Sequence, residues 1–343
     1  LPGIVGGFTI TIVALISSSA MAGAVGAGGL GDGAGGGDVI VRGRTWLAAA
    51  TGQYPGVVSQ GRFAINSGTG TVEIVGDTNS SHGIEFGWGV AGINYAITSA
   101  STDTTKPAVS ITGTNTVGGD YTGLVLAARS GSVLIQSLGA TGGGVTLSGT
   151  NNAGNGAGVI GVSTNAYILS AAGTISITGD GGVNPGRELI LSSNTAIGSF
   201  AGAATSVNGV SVGVTSSSAN VSVLANSISF GAGSAVRTTG DVSLTSVGAS
   251  FNADTSLPAI TVAPNTLTLG KTTNTANLTL LGPVVTNQAI ALYGGSITVG
   301  GNMATARILN ASQTIIGQQL QGVALSRGFI VCNKSPLGLQ LIR

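Results

Sequence analysis

Short alternating triplets recur through residues 220–302, and they restrict what the chain can fold into more than any other feature. One set is Val221-Ser222-Val223, Val242-Ser243-Leu244, Ile260-Thr261-Val262, Leu278-Thr279-Leu280 and Ile297-Thr298-Val299, with starts 21, 18, 18 and 19 residues apart. A second set lies between them: Ile228-Ser229-Phe230, Phe251, Leu267-Thr268-Leu269 and Ile290-Ala291-Leu292. In an extended strand, successive side chains point to opposite faces, so each triplet puts its apolar ends on one face and Ser or Thr on the other. Two or three such strands in every 18 to 21 residues describe a chain that returns to the same place each turn. The pattern predicts a β-solenoid.

Composition agrees. The chain has 343 residues, and a solenoid core grows along one axis, with contacts only between neighbouring turns. Charged residues are 7% and apolar residues 42%, the opposite of a disordered chain. Gly is abundant, at 60, without a Gly-X-Y period, so collagen is excluded. Ser, Thr, Asn, Gly, Val and Ile favour strands and turns over helices. A single cysteine, Cys332, allows no internal disulfide and no Cys-based metal site. It is read as a buried apolar thiol, with an intermolecular disulfide as the alternative.

Net charge is +1 but uneven. The last acid is Asp254; Lys271, Arg307, Arg327, Lys334 and Arg343 follow it with no carboxylate, giving +5 after residue 254 and −4 before it. One reading is chance in a charge-poor chain; the other is that the two ends attract each other between molecules. The bases are too sparse, and too rarely beside aromatics, for a nucleic-acid surface.

The chain divides into an N-terminal strand, Gly-rich linker and cap (1–66), a solenoid body (67–302) and a C-terminal cap or docking segment (303–343). It begins at Leu1, which reads as a processed product or a fragment. Residues 8–24 fit a signal-peptide core by their apolar run, but no basic segment precedes it. They resemble the start of a processed type IV pilin, but Ile12 stands where an acid is expected. They are read as a strand, in which Phe8, Ile10 and Ile12 alternate with Thr9 and Thr11. The run is short for a membrane span and broken by Ser17-Ser18-Ser19, so no stable span is expected. Residues 23–37 are a Gly/Ala-rich linker. The Gly26/Gly28/Gly31 spacing lacks the strand–helix context of a dinucleotide site, and Gly28–Asp32 lacks the repetition of a calcium-binding repeat, so no cofactor or metal is assigned.

The coils are expected to begin near Gly70, with longer turns such as Val145 to Ile175 in the first half. Asp32, Asp38, Asp77, Asp120, Asp180 and Asp241 each follow a glycine, which reads as turn chemistry: a positive φ, then a carboxylate bonding its own backbone.

The Gly-Thr-Ile-Ser-Ile-Thr-Gly run at 173–179, Gly-Asp-Val-Ser-Leu-Thr at 240–245 and Gly-Ser-Ile-Thr-Val-Gly-Gly at 295–301 resemble the passenger repeats of filamentous-haemagglutinin-like exoproteins and autotransporter adhesins. The resemblance covers about residues 70–302. It implies a right-handed parallel β-helix, secreted and acting at a bacterial cell surface. The Asn-Pro-Asn secretion motif of that family is absent; Asn184-Pro185-Gly186 is the nearest match.

Acid–base chemistry has one candidate. His82, the only histidine, sits in sequence among Glu73, Asp77 and Glu85, with Trp88 nearby. The competing reading is a solvated polar patch. Glu73 and Glu85 are expected to point away from the apolar face. No nucleophile elbow, zinc-spaced histidine pair or phosphate loop is present, and an enzyme is not expected.

The expectation is therefore an extracellular structural subunit of a surface fibre or sheath, joining copies of itself end to end through Phe8, Ile10 and Ile12 at one end and Arg307, Arg327, Phe329 and Cys332 at the other. The alternatives are an adhesin stalk contacting cell-surface glycans or proteins, and a polysaccharide-active enzyme built on the His82 patch.

Overall fold

Parallel strand pairing carries the whole architecture. The computed structural model describes residues 36–46, 54–87, 91–116, 121–152, 157–182, 188–191 and 194–299, and beyond these the strands Thr11–Val13, Met303–Ala311, Ile315–Gly317, Leu320–Gln321 and Ile330–Cys332. The described residues form no helix, and none is long and apolar enough to cross a membrane. Nearly every strand belongs to one 28-stranded sheet in which all the pairings are parallel.

The pairings sort the strands into three columns. Column one stacks Thr11–Val13, Val39–Thr45, Val72–Thr78, Val109–Asn115, Val145–Asn151, Ile175–Asp180, Val221–Leu224, Val242–Thr245, Leu267–Leu269 and the end of Val284–Leu292. Column two starts at Val57–Ser59 and Ile84–Phe86 and runs through Ile228–Phe230, Leu278–Leu280 and Ile297–Val299 to Ile330–Cys332. Column three starts at Phe63–Asn66 and Tyr95–Ser99. The long strands Leu124–Ser137 and Val159–Ser170 each serve columns two and three in turn. This is an all-β arrangement of stacked coils, consistent with a parallel β-solenoid, and the ladder is already in place at Val39, ahead of the Gly70 start expected from the triplets.

The triplets fold as strands, but the expected grouping into two sets does not hold. Val221 and Val242 share column one, whereas Ile260 belongs to column three and Leu278 and Ile297 to column two. The next rung of column one after Val242 is Leu267. All three columns want the same apolar-polar-apolar triplet, so even spacing does not reveal which strands stack. The turn from Val145 to Ile175 is a true coil repeat.

Inward positions are aliphatic and dry. Val72, Ile74, Val109, Ile111, Val145 and Leu147 are at most 1% exposed and form one continuous core with the inward residues of the other columns. Each buried aliphatic side chain contributes about 1.5–3 kcal/mol. The exposed ion pairs Arg42–Glu73 (2.7 Å) and Lys106–Asp38 (2.9 Å) contribute about 0–1 kcal/mol each. Core stacking therefore holds the coils together. Near the first coil, Tyr95 stacks on Phe63 with ring centroids 5.0 Å apart and meets Phe86 edge-on at 5.5 Å.

The corners are polar or glycine. Where column one hands over to column two, Gly43, Gly76, Gly113, Gly149 and Gly179 are in register with one another. A Cβ on any of them would run into the backbone carbonyl oxygen of Gly56, Gly83, Gly123, Gly158 or Glu188 respectively. Those column-two glycines in turn abut the backbone amides of Asp77, Thr114, Thr150 and Asp180 on the next coil. Thr78, Asn115 and Asn151 stack just beyond, fully buried; Thr78 Oγ1 donates to the Tyr54 carbonyl (2.9 Å) and Asn151 Nδ2 to that of Tyr121 (2.8 Å). Where column three hands over to column one, the Ser67 and Ser99 hydroxyls donate to the Gly70 carbonyl, and Ser170 donates to that of Gly173.

This corner corrects the reading of the Gly-Asp pairs. Gly76 and Gly179 lie within strands, and close backbone approach is what excludes a side chain there. Asp38 and Asp241 reach to the adjacent coil: Asp38 accepts from Thr71 N and Oγ1, and Asp241 accepts from Asn265 Nδ2 and Thr266 Oγ1. Asp180 does bond its own turn, at Gly182 N (3.0 Å). From Val221 on, the column-one strands end before the glycine position, and the coil shortens from the 33 residues between Val39 and Val72 to the 21 between Val221 and Val242.

One insertion folds back on the body. The hairpin Ser206–Val207/Val210–Ser211, turned by Asn208 (φ 50) and Gly209 (φ 80), is the antiparallel exception. Val207 and Val214, with Phe200 and Val210 beside them, cover the outward residues Ala96, Leu134 and Tyr167 of column three as a second apolar cluster. Gln136 fastens the strap by donating to the Ser211 carbonyl (2.9 Å) and accepting from Gly213 N (3.0 Å).

Two stability contrasts follow from these contacts. Gly113→Ala should cost about 3 kcal/mol or more, because Gly113 is fixed within its strand and the Gly123 carbonyl it meets is held by the Ile84 amide. Gly61→Ala, at a position with nothing within 4 Å, should change stability by less than about 0.5 kcal/mol. Equal midpoints for the two variants in denaturant melts would contradict the corner. Tyr95 is fully buried and its hydroxyl has no hydrogen-bond partner among the described residues, so Tyr95→Phe should raise the melting midpoint by relieving an unsatisfied group that costs about 1–3 kcal/mol.

Candidate functional site

The residues grouped by sequence around His82 are separated by the coil. Glu73 and Asp77 lie on column one, Glu85 lies on column two, and His82 lies in the connection between them. Glu73 and Glu85 thus occupy different faces of one coil. Glu73 does point outward and accepts from Arg42 Nη2, which reaches across from the preceding coil (2.7 Å). Glu85 is only 8% exposed; burial raises its pKa, opposed by a hydrogen bond from Gln60. Asp77 is in register with Arg44 and Thr114. Trp88 lies outside the described residues.

His82 is built into the corner. Its ring is 7% exposed, packs edge-on against Tyr121 (5.5 Å), and accepts at Nδ1 from the backbone amide of Thr122 on the next coil (2.9 Å). Its own carbonyl accepts from Gly56 N (3.2 Å) on the coil before. Burial pushes its pKa down to about 4, against the opposing influence of the Thr122 hydrogen bond. The neutral imidazole holds the next coil and the residue's own carbonyl holds the one before, so His82 positions backbone. The strands thus place Glu73 and Asp77 on one face of the coil and Glu85 on another, with His82 in the corner between them.

A buried carboxylate that sequence reasoning did not single out lies further along. Glu188 is 2% exposed and accepts from the backbone amide and side-chain Nδ2 of Asn226 on the next coil. Burial raises its pKa, with those hydrogen bonds opposing. It marks the place where the glycine corner ends, since its carbonyl faces Gly179. No local motif signals it, because its partner is set by coil length. Among the described residues, no group of His, Cys, Asp and Glu is arranged to hold a metal ion.

The terminal residues expected to mediate assembly are placed in part. Ile12 is in register with Val41, Arg307 with Ala289, and Cys332 with Gly317. Phe8, Ile10, Arg327 and Phe329 lie outside the described residues. The acidic excess before residue 255 is not gathered at the N-terminal end. The first described coil carries Asp38 with Arg42, Arg44 and Arg62, and the described carboxylates Glu73, Asp77, Glu85, Asp103, Asp180, Glu188, Asp241 and Asp254 are spread along the stack. Among the described residues the most exposed aromatic is Trp46, 56% exposed beside the column-one corner, with the Arg44 guanidinium 4.5 Å from its ring centroid.

No family model, no curated protein and no solved structure matches this chain.

The His82 geometry predicts a pH dependence. A histidine whose pKa falls from about 6.5 unfolded to about 4 folded contributes its full stability above pH 6.5, and that contribution is lost between pH 6.5 and 4. His82→Asn retains an acceptor for Thr122 N but does not titrate. The stability gap between wild type and this variant should narrow by roughly 3 kcal/mol as pH falls from 7 to 4. Glu85 and Glu188 act in the opposite sense, losing stability as pH rises past their unfolded value of 4.5, and their contribution cancels in the comparison. A gap independent of pH would contradict the buried neutral imidazole.

Proposed function

We propose that this chain is an extracellular structural β-solenoid, wound right-handed as in the filamentous-haemagglutinin-like and autotransporter passengers it resembles. It serves as the subunit of a bacterial surface fibre or sheath that assembles end to end. Its work is done by shape, without catalytic chemistry. The observation that carries this reading is the stack itself, three columns of parallel strands over one continuous apolar core. Val57–Ser59 and Phe63–Asn66 have no preceding partner strand among the described residues, and Ile330–Cys332 has no following one. Val57, Phe63 and Ile65 are only partly buried, whereas their counterparts one coil on, Ile84, Tyr95 and Ile97, are fully buried. Parallel strand edges above an apolar interior are natural joints for strand addition. Exposed Trp46 with Arg44 favours a second reading, an adhesin that contacts glycans or proteins through this corner.

Electron microscopy separates the two readings. A subunit forms regular fibres at high concentration, and deleting residues 1–24 or 303–343 shortens or abolishes them. A rod that stays monomeric at every concentration and binds cells or glycans through Trp46 would overturn the fibre and leave the adhesin.

A further inference from the structure

We propose that residues 199–217 form a latch across three successive coils, so that none of the column-three rungs it holds opens until the latch lifts.

The latch is an excursion of one coil laid over the two before it. It leaves the stack after Thr195–Gly198 and returns ahead of Val221–Leu224. In column three, Ala196 is in register with Tyr167, and Tyr167 with Leu134. Val207 and Val214 of the excursion join Leu134, Tyr167 and Leu169 in one apolar cluster, and Ala196, Phe200 and Val210 pack against it. Phe200 meets the Tyr167 ring edge-on, with centroids 4.9 Å apart. The return is pinned to the middle coil, where Ser217 Oγ donates to the Ser170 carbonyl (2.7 Å) and Ser218 N to that of Ala171 (2.9 Å). The hairpin also bonds itself, through Phe200 N to the Val214 carbonyl (2.9 Å) and Val212 N to that of Thr205 (3.0 Å), so it docks as one piece.

In a solenoid each coil touches its neighbours, and opening can advance one coil at a time. The latch ties the coil of Ala196 to that of Leu134, two rungs away. Opening any one of the three rungs therefore costs the latch its seat on the others. Its stems suit release: residues 201–204 and 215–216 are exposed and carry no side chain larger than Thr.

Gln136 is the catch. Its side chain is 1% exposed; Nε2 donates to the Ser211 carbonyl (2.9 Å) and Oε1 accepts from Gly213 N (3.0 Å). The catch needs one donor and one acceptor on the same planar group, which an amide supplies. A carboxylate of the same shape offers acceptors alone and sets a negative oxygen against the Ser211 carbonyl. Protonated, it offers a donor and an acceptor again.

Gln136→Glu in the full-length chain tests the latch through hydrogen exchange, with the variant compared with wild type at pH 8 and at pH 4. Comparison at equal pH cancels the intrinsic exchange rates and the titration of His82, Glu85 and Glu188. At pH 8 the variant should lose protection by one common factor of about tenfold or more, the cost of an unpaired buried carbonyl, at residues 206–211, 133–137, 166–170 and 195–198. Val242–Thr245 and Leu267–Leu269 should keep theirs. At pH 4, where a carboxyl in this dry position is protonated, the difference should close. A loss confined to residues 199–217 would overturn the coupling and reduce the hairpin to a cover. Unchanged protection at pH 8 would overturn the catch. A loss that persists at pH 4, or that reaches Leu267–Leu269, would mean general destabilisation and would also overturn the latch.

Discussion

Glycine-on-glycine contact at the corner between columns one and two is the constraint on which the first half of the stack depends. It brings two backbone runs closer than any Cβ allows, so the two ends of each connection between columns one and two meet over a narrow apolar interior. Once that corner is fixed, the inward positions Val72/Ile74, Val109/Ile111 and Val145/Leu147 superpose, and so do the buried Thr78, Asn115 and Asn151 beyond the glycine. From Val221 on, where the corner glycine is no longer used, the coil is shorter. The repeat length and the corner chemistry change together, because the length of a turn is set by how its corners are made.

How much of this the sequence shows depends on what each residue's environment is made of. Strand identity is local: Val-Ser-Ile and Leu-Thr-Leu alternate, and they fold as strands. Which strands stack is not local. Ile260 and Leu278 carry the same triplet chemistry as Val242 yet sit in other columns, because every column has an apolar inside and a hydroxylated outside. The sequence feature that does carry register, a glycine two residues after the second inward aliphatic in Val39–Thr45, Val72–Thr78, Val109–Asn115 and Val145–Asn151, is easily mistaken for turn chemistry when acids follow it. The strap over Leu134 and Tyr167 is legible as an Asn208-Gly209 hairpin, but the stripe it covers is not, since those outward residues come together only through stacking.

The candidate site follows the same logic. His82, Glu73, Asp77 and Glu85 are close in sequence because they belong to one turn and its corner, and a coil spreads adjacent segments over different faces. A histidine seated against Tyr121 and Thr122 serves the corner, and Glu188 against Asn226 serves the change in coil length. In such a fold, residues that act together are expected one coil apart, not a few residues apart. The reading of the chain as a fibre subunit puts its function at the ends of the stack.

The central claim is that coils stack along one axis and that assembly continues that axis. Fibre X-ray diffraction from oriented assemblies tests it most directly. Strands lying across the fibre with coils stacked along it place a reflection at about 4.7–4.8 Å on the meridian. That reflection on the equator, or its absence from well-aligned fibres, would contradict the account.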